Sequence, residues 1–235
     1  MKKLKIIGSG LIASAFASTE LGQETTLFAS GVSNSQEKRS SEYEREANLL
    51  QSSLVHSEKL IYFSTCSVTD PHLSNTPYVS HKLSLEKLVL TNKNNIIIRL
   101  PQVVGICRNR NTLTNFLAYK IFNEEAFDLF EGSIKSIVDI KDVVKLTNYI
   151  FQKRLPQNLY SFNLPINYEV SQIVSCLESI LDKSSIHTLK KGHRFKYSNS
   201  AFISNAISEN VIDFDYNYLQ RTLIRVYANY PNGFQ

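Results

Sequence analysis

Short apolar runs alternate along this chain with longer stretches whose apolar residues recur at helical spacing. "LKIIG", "TTLFASG", "EKLIYFST" and "NNIIIRLP" have strand length and composition, and "LYSFNLP" makes a fifth. Between them, "LIASAFASTEL" reads as a helix ending near Gly22. Residues 41–56 read as a second helix, with acids early and Leu49, Leu50 and Leu54 on its apolar face. Residues 78–91, 112–124, 141–153, 169–182 and 216–229 complete the predicted helices, and "FDLF" and "SIVDI" are short extended pieces. Polar segments at 33–41 and 69–77 mark loops, the second holding Asp70, Pro71, Asn75 and Pro77. Strands alternating with helices predict an α/β fold with a parallel sheet covered on both faces.

Composition narrows the class without naming it. The 235 residues suit one large domain, or one domain with a lobe grown from it. The formal charge of +5 suits an anionic small molecule, and the scattered lysines form no polybasic arm. A basic stripe interleaved with aromatics, as nucleic acid requires, is missing. The apolar run near the N-terminus is too brief for a signal peptide, and no stretch approaches the ~20 apolar residues of a membrane span. Cys66, Cys107 and Cys176 are odd in number and widely spaced, so neither a zinc site nor a disulfide framework is expected. The five histidines show no metal spacing. The cytoplasm is the expected compartment.

Gly8-Ser9-Gly10-Leu11-Ile12-Ala13 matches G-x-G-x-x-A between a predicted strand and a predicted helix. Such a turn lets backbone approach a pyrophosphate, whose charge meets the free N–H groups of a helix start. The motif alone is weak, since a glycine turn can simply join strand to helix, but its strand–turn–helix context favours dinucleotide binding. The acidic residue that holds a dinucleotide ribose about 20 positions on is absent, because the second strand runs into "ASGVS".

Tyr78 and Lys82 form a Tyr-x-x-x-Lys pair at the start of a predicted helix. With 12 Tyr and 17 Lys in the chain, such a pair arises by chance roughly 0.9 times. It occurs twice, and Tyr149/Lys153 sits late in an amphipathic helix without further context. Tyr78 instead follows "YFSTCSV", a strand running into hydroxyls, so that glycine turn, hydroxyls and tyrosine all fall beyond the carboxyl ends of strands. On one helical face, a nearby ammonium favours phenolate and brings the phenol closer to neutrality.

These elements resemble the extended short-chain dehydrogenase/reductases, the branch of nucleotide-sugar epimerases, dehydratases and reductases. "FASGVSNS" is similar to that family's small-residue turn after its fourth strand, "YFSTCSV" to its hydroxyl strand, and "YVSHK" to its catalytic helix start. "RLPQVVG" is similar to its nicotinamide-side loop, and "SIVDIKDVVKL" to a later strand-to-helix entry. The resemblance implies a Rossmann-like core over 1–165 and a small C-terminal substrate lobe over 166–235, with 106–136 contributing to the lobe. It implies NAD or NADP as cofactor and Tyr78 as acid/base. Lys82 becomes its tuner and ribose anchor, and Thr65 the hydroxyl that orients the reacting oxygen, with Ser64 as the fallback. Gly8, Gly10, Leu11, Ile12, Ala13, Ala29, Ser30, Gly31, Pro101 and Val103 become cofactor-binding. Cys66, Ser67 and Asn115 fall on the substrate side, although the Cys66 thiol itself reads as a packed small side chain. Arg108 and Arg110 are loop cations that a diphosphate would suit. A homodimer through the helices at 41–56 and 78–91 is implied as well.

Two departures shape the expectation. Family members that dehydrate a sugar carry Asp-Glu directly after the catalytic hydroxyl; here Cys66-Ser67 stands there, which leaves epimerisation or ketone reduction, and the resemblance implies a place in surface-polysaccharide synthesis. If "TTLFASG" is the family's fourth strand, the second and third are missing. The sheet then has about five strands, with "KLKII" at its edge and Lys2, Lys3 and Lys5 guarding it. The rival reading is a non-catalytic dinucleotide-binding or scaffold protein of the same fold.

Overall fold

The computed structural model describes residues 4–19, 21, 25–107 and 109–230. A five-stranded sheet runs in the order β1 (Lys5–Ile7), β2 (Thr25–Phe28), β3 (Lys59–Thr65), β4 (Ile96–Leu100) and β8 (Leu159–Ser161), every pair parallel. β1 is an edge strand, as the shortened sequence predicts, with Lys5 exposed on it; Lys2 and Lys3 lie outside the described residues.

Strand alternation separates two cores. Leu27, Ile61, Phe63, Ile96 and Ile98 face one side with α1 (Leu11–Ala15), α5 (Ile140–Gln152) and α7 (Ala201–Ser208). Phe28, Leu60, Tyr62 and Ile97 face the other, against α2 (Ser40–Val55) and α3 (Pro77–Val89). α1 and α2 therefore cover opposite faces, although their connections both step one strand the same way. The two crossovers therefore have opposite hands. Neighbouring strands whose following helices leave on opposite faces open a crevice at their carboxyl ends. That crevice lies between β1 and β2.

α1 has five residues and stops well before the predicted end near Gly22, which lies outside the described residues. Gly8 has φ +129°, and a Cβ there would meet the Ala29 carbonyl oxygen at 2.3 Å. Its missing side chain lets the two turns touch at the floor of the crevice. A Cβ on Gly10 would meet nothing within 4 Å. Gly8→Ala should therefore cost at least about 2 kcal/mol from backbone strain and the clash with Ala29. Gly10→Ala should stay within about 1 kcal/mol of wild type. Thermal melts of the two variants check the difference.

The lobe holds β5 (Gln102–Val104), β7 (Ile134–Asp139) and β9 (Asn167–Glu169) in one sheet, and β6 (Phe127–Glu131) paired with β10 (His187–Lys191). Its core joins α4 (Leu113–Phe122), α6 (Val170–Leu181) and α8 (Tyr218–Tyr227). α7, inside the stretch expected to be lobe, packs Phe202, Ile203 and Ala206 into the main core instead.

Candidate active site

β3 ends at Thr65, whose hydroxyl accepts from the Ser67 N–H at 3.1 Å and caps a short 3-10 turn. α3 begins with Pro77 at its first position and Thr76 as N-cap, accepting from the Val79 N–H. Tyr78 is thereby fixed in the first turn, and Lys82 lies one turn on. Both are buried, and the Lys82 Nζ stands 5.8 Å from the Tyr78 ring centre. Burial pushes the Tyr78 phenol up to about 12; a hydrogen bond with Thr65 pulls it down, and the charge of Glu46 pushes it further up. Tyr78, Lys82 and Thr65 thus converge as the sequence predicts.

The partner of Lys82 was not expected. Its Nζ donates to Glu46 Oε1 at 2.7 Å and to the Tyr62 hydroxyl at 3.3 Å. Glu46 is wholly buried on α2. It also accepts from the Tyr62 hydroxyl at 2.9 Å and the Val32 N–H at 2.8 Å, and its Oε2 meets His81 Nε2 at 3.1 Å. Burial raises its carboxyl, but His81, the Lys82 charge and hydrogen bond, and Val32 outweigh this and hold it at about 2. Burial lowers the Lys82 ammonium, with Glu46 opposing. The expected drift of Tyr78 toward neutrality is opposed first by burial of the phenol and then by the charge of Glu46 beside it. The sequence did carry a signal for Glu46: it stands four residues before Leu50, so a charge lies on the buried stripe of an amphipathic helix.

A Cβ on Gly31 would meet Lys82 Nζ at 2.8 Å and Glu46 Oε1 at 2.9 Å, so this glycine makes room for the ion pair. Ala29, Ser30 and Gly31 are half-buried beside the crevice, and Arg45 Nη1 donates to the Ser30 carbonyl at 3.2 Å. Ala13 is buried against the sheet, as close helix–strand packing requires, whereas Leu11 and Ile12 pack on the core. Pro101 and Val103 are half-buried at the end of β4 and in β5. Across the carboxyl ends, Asn109 Nδ2 donates to Ser33 Oγ at 3.0 Å, joining the loop after β5 to the one after β2.

On the substrate side the predicted residues part ways. Ser67 shares a hydrogen bond with Tyr197, whose hydroxyl burial raises. Cys66 is buried, donates to the Arg99 carbonyl at 3.3 Å, and is pushed up to about 12 by burial. It is a packed thiol, against the Arg99 carbonyl and the Ser161 hydroxyl. Asn115 is also buried: its amide donates to the Asn109 carbonyl at 2.9 Å and accepts from the Tyr227 hydroxyl, holding a loop. Ser64 Oγ is buried without a hydrogen-bond partner. Arg110 stacks on Tyr119, and Arg108 lies outside the described residues.

Residues the sequence did not single out cover this side. The irregular segment 192–200 passes over the 3-10 turns: His193 Nε2 meets buried Asp70 Oδ2 at 3.2 Å, and the Tyr197 backbone is clamped by Asn167 through two 2.9 Å bonds. Lys135 makes no hydrogen bond or ion pair among the described residues; burial lowers its ammonium and the Asp70 charge raises it. A cavity of about 450 Å³ on the lobe is lined in part by Ile134, Glu169, Arg194 and Lys196, and by none of the acid–base residues. The site is therefore defined by converging side chains at the crevice. These distant contacts have no sequence spacing to reveal them.

The second pair, Tyr149/Lys153, shows the same geometry, with Lys153 Nζ 5.7 Å from the ring centre. Both groups are tied to Glu209, at 2.9 and 2.7 Å, away from any strand end. Among the described residues no His, Cys, Asp or Glu cluster could hold a metal, and no helix is long and apolar enough to cross a membrane.

This arrangement is a Rossmann-like α/β fold with a smaller lobe. No family model matches the sequence, and no curated protein matches it. Solved structures do match. MoeE5 in complex with UDP-glucose and NAD aligns over 96% of this chain and 98% of its own, at 14% identity and a TM-score of 0.73. RMD from Pseudomonas aeruginosa complexed with NADPH aligns over 97% and 99%, at 13% identity and 0.72. UDP-glucuronic acid 4-epimerase from Bacillus cereus, with UDP-glucuronic acid and NAD, aligns over 94% and 88%, at 17% identity and 0.67. At these identities the likeness establishes the fold, and the fold is the one that the resemblance implied.

Proposed function

We propose that this protein is an NAD(P)-dependent enzyme that epimerises or reduces a nucleotide-activated sugar. The observation that carries the reading is the convergence of Tyr78, Lys82 and Thr65 beside the β1–β2 crevice. The turns fit a dinucleotide: Gly10 borders open space, and small residues stand at 29–31. Gly8, Gly10 and Ala29–Gly31 would hold it, with Pro101 and Val103 on the nicotinamide side. With only five residues in α1, backbone N–H groups rather than a long helix dipole meet the pyrophosphate. When bound, the cofactor supplies hydride exchange. The chain's own part is to exchange the Tyr78 proton with a sugar oxygen that Thr65 orients.

Lys135, Arg194 and Lys196 support an anionic substrate: one is a desolvated cation with no side-chain hydrogen bond or ion pair among the described residues, and two flank the lobe cavity. The neighbours' bound UDP-sugars point the same way. We place the enzyme in surface-polysaccharide synthesis in the cytoplasm, as a homodimer through α2 and α3. Incubation with a panel of nucleotide sugars and both nicotinamides, followed by absorbance at the nicotinamide band and by product analysis, tests the reading. Turnover of at least one member is expected. No turnover and no dinucleotide binding would overturn it.

A further inference from the structure

Acting on the site proposed above, Glu46 has a role that neither the motif nor the neighbours assign. We propose that Glu46 is a positioning residue for the acid–base pair: its buried carboxylate fixes the Lys82 ammonium against the turn at Gly31–Val32 and balances its charge, so that Tyr78 rests as a neutral phenol, ready to donate its proton.

The geometry carries this. Both Glu46 oxygens are used, Oε1 by Lys82 and Tyr62 and Oε2 by Val32 and His81, so the carboxylate cannot swing away. Two of the three Lys82 N–H groups go to Glu46 and Tyr62, and the third remains for a ribose hydroxyl. The pair lies directly against the Gly31 backbone, where a Cβ would meet both Lys82 Nζ and Glu46 Oε1. The charged and titratable groups facing the pair and the phenol are Lys82, His81 and Glu86 on α3, Tyr62 on β3, Arg45 and Tyr43 on α2, and Cys66 after β3, with Tyr78 itself above. Glu86 is held by Arg99 at 2.6 and 2.9 Å, which leaves Glu46 as the counter-charge of Lys82.

A resting phenol is poised for the reductive half of the chemistry. A carbonyl that gains hydride at its carbon takes the Tyr78 proton on its oxygen, and the phenolate recovers a proton from water. The oxidative half has to begin from phenolate, which this arrangement disfavours at neutral pH.

The test reads Tyr78 directly, without cofactor. Protein labelled with carbon-13 at the tyrosine phenolic carbon is titrated by NMR, with Tyr78→Phe used to assign the resonance. In wild type, Tyr78 should stay protonated through at least about pH 10. In Glu46→Gln, which keeps an acceptor but removes the charge, its midpoint should fall by at least about one pH unit, and Glu46→Asp should restore it. A wild-type Tyr78 that titrates near neutrality, or a folded Glu46→Gln variant with an unchanged midpoint, would sink the proposal. If Glu46→Gln does not fold, the wild-type titration decides. A protein that shows these titrations but turns over no nucleotide sugar keeps this inference and loses the proposed function.

Discussion

Tyr78→Phe lowers turnover by about 10²- to 10⁴-fold, the range of a general acid–base group, while leaving the fold and dinucleotide binding in place. The ring is what packs: Tyr78 sits with Val32 and Val79 in a small cluster flanked by Tyr43, Val68, Leu73 and Leu83, and Phe keeps all of that surface. Only the hydroxyl goes. Its partner Thr65 is partly exposed and still caps the 3-10 turn, so no buried group loses its last hydrogen bond. Steady-state kinetics on the substrate found in the panel, dinucleotide titration and a thermal melt check the three parts separately. Wild-type biological function in the variant would favour the non-catalytic reading of the fold.

Lys82→Met costs about 3–5 kcal/mol of stability, because it leaves the Glu46 carboxylate buried without its cation. For a chain of this size that is a fall in Tm of roughly 6–20 °C. Removing both charges, as Glu46→Gln with Lys82→Met, should recover most of the loss, since a neutral pair carries no desolvated ion. The pH dependence has a definite sign. In wild type the Glu46 carboxyl lies at about 2, below its ordinary 4.5, so its stabilisation is present above about 4.5 and is lost as pH falls from there toward 2. In Lys82→Met the carboxyl rises instead, and the penalty shrinks as acid neutralises it. The gap between wild type and variant should therefore narrow in melts as pH falls from about 4.5 toward 2. A constant gap across pH would contradict the buried pair. This coupling also means that an inactive Lys82→Met protein says little about catalysis until its folding has been measured.

The alternation of apolar and polar residues determined the α/β class and the order of strands and helices, because these follow from local periods; the edge position of β1 followed from the family resemblance, in which two strands are missing after "LKIIG". It also marked Tyr78, Lys82 and Thr65, since a proline helix start, an i,i+4 spacing and a strand ending in hydroxyls are all short-range features. Asn115 and Cys66 show the limit. Their spacing matched a motif, but whether an amide or thiol faces a cleft depends on Tyr227 and Arg99, 112 and 33 residues away. Only the tertiary structure decided what surrounds the acid–base pair. Glu46 reaches Lys82 across 36 residues of sequence because α2 and α3 share one face of the sheet, and burial together with that carboxylate, neither of them visible in the helix spacing, sets the environment of the phenol.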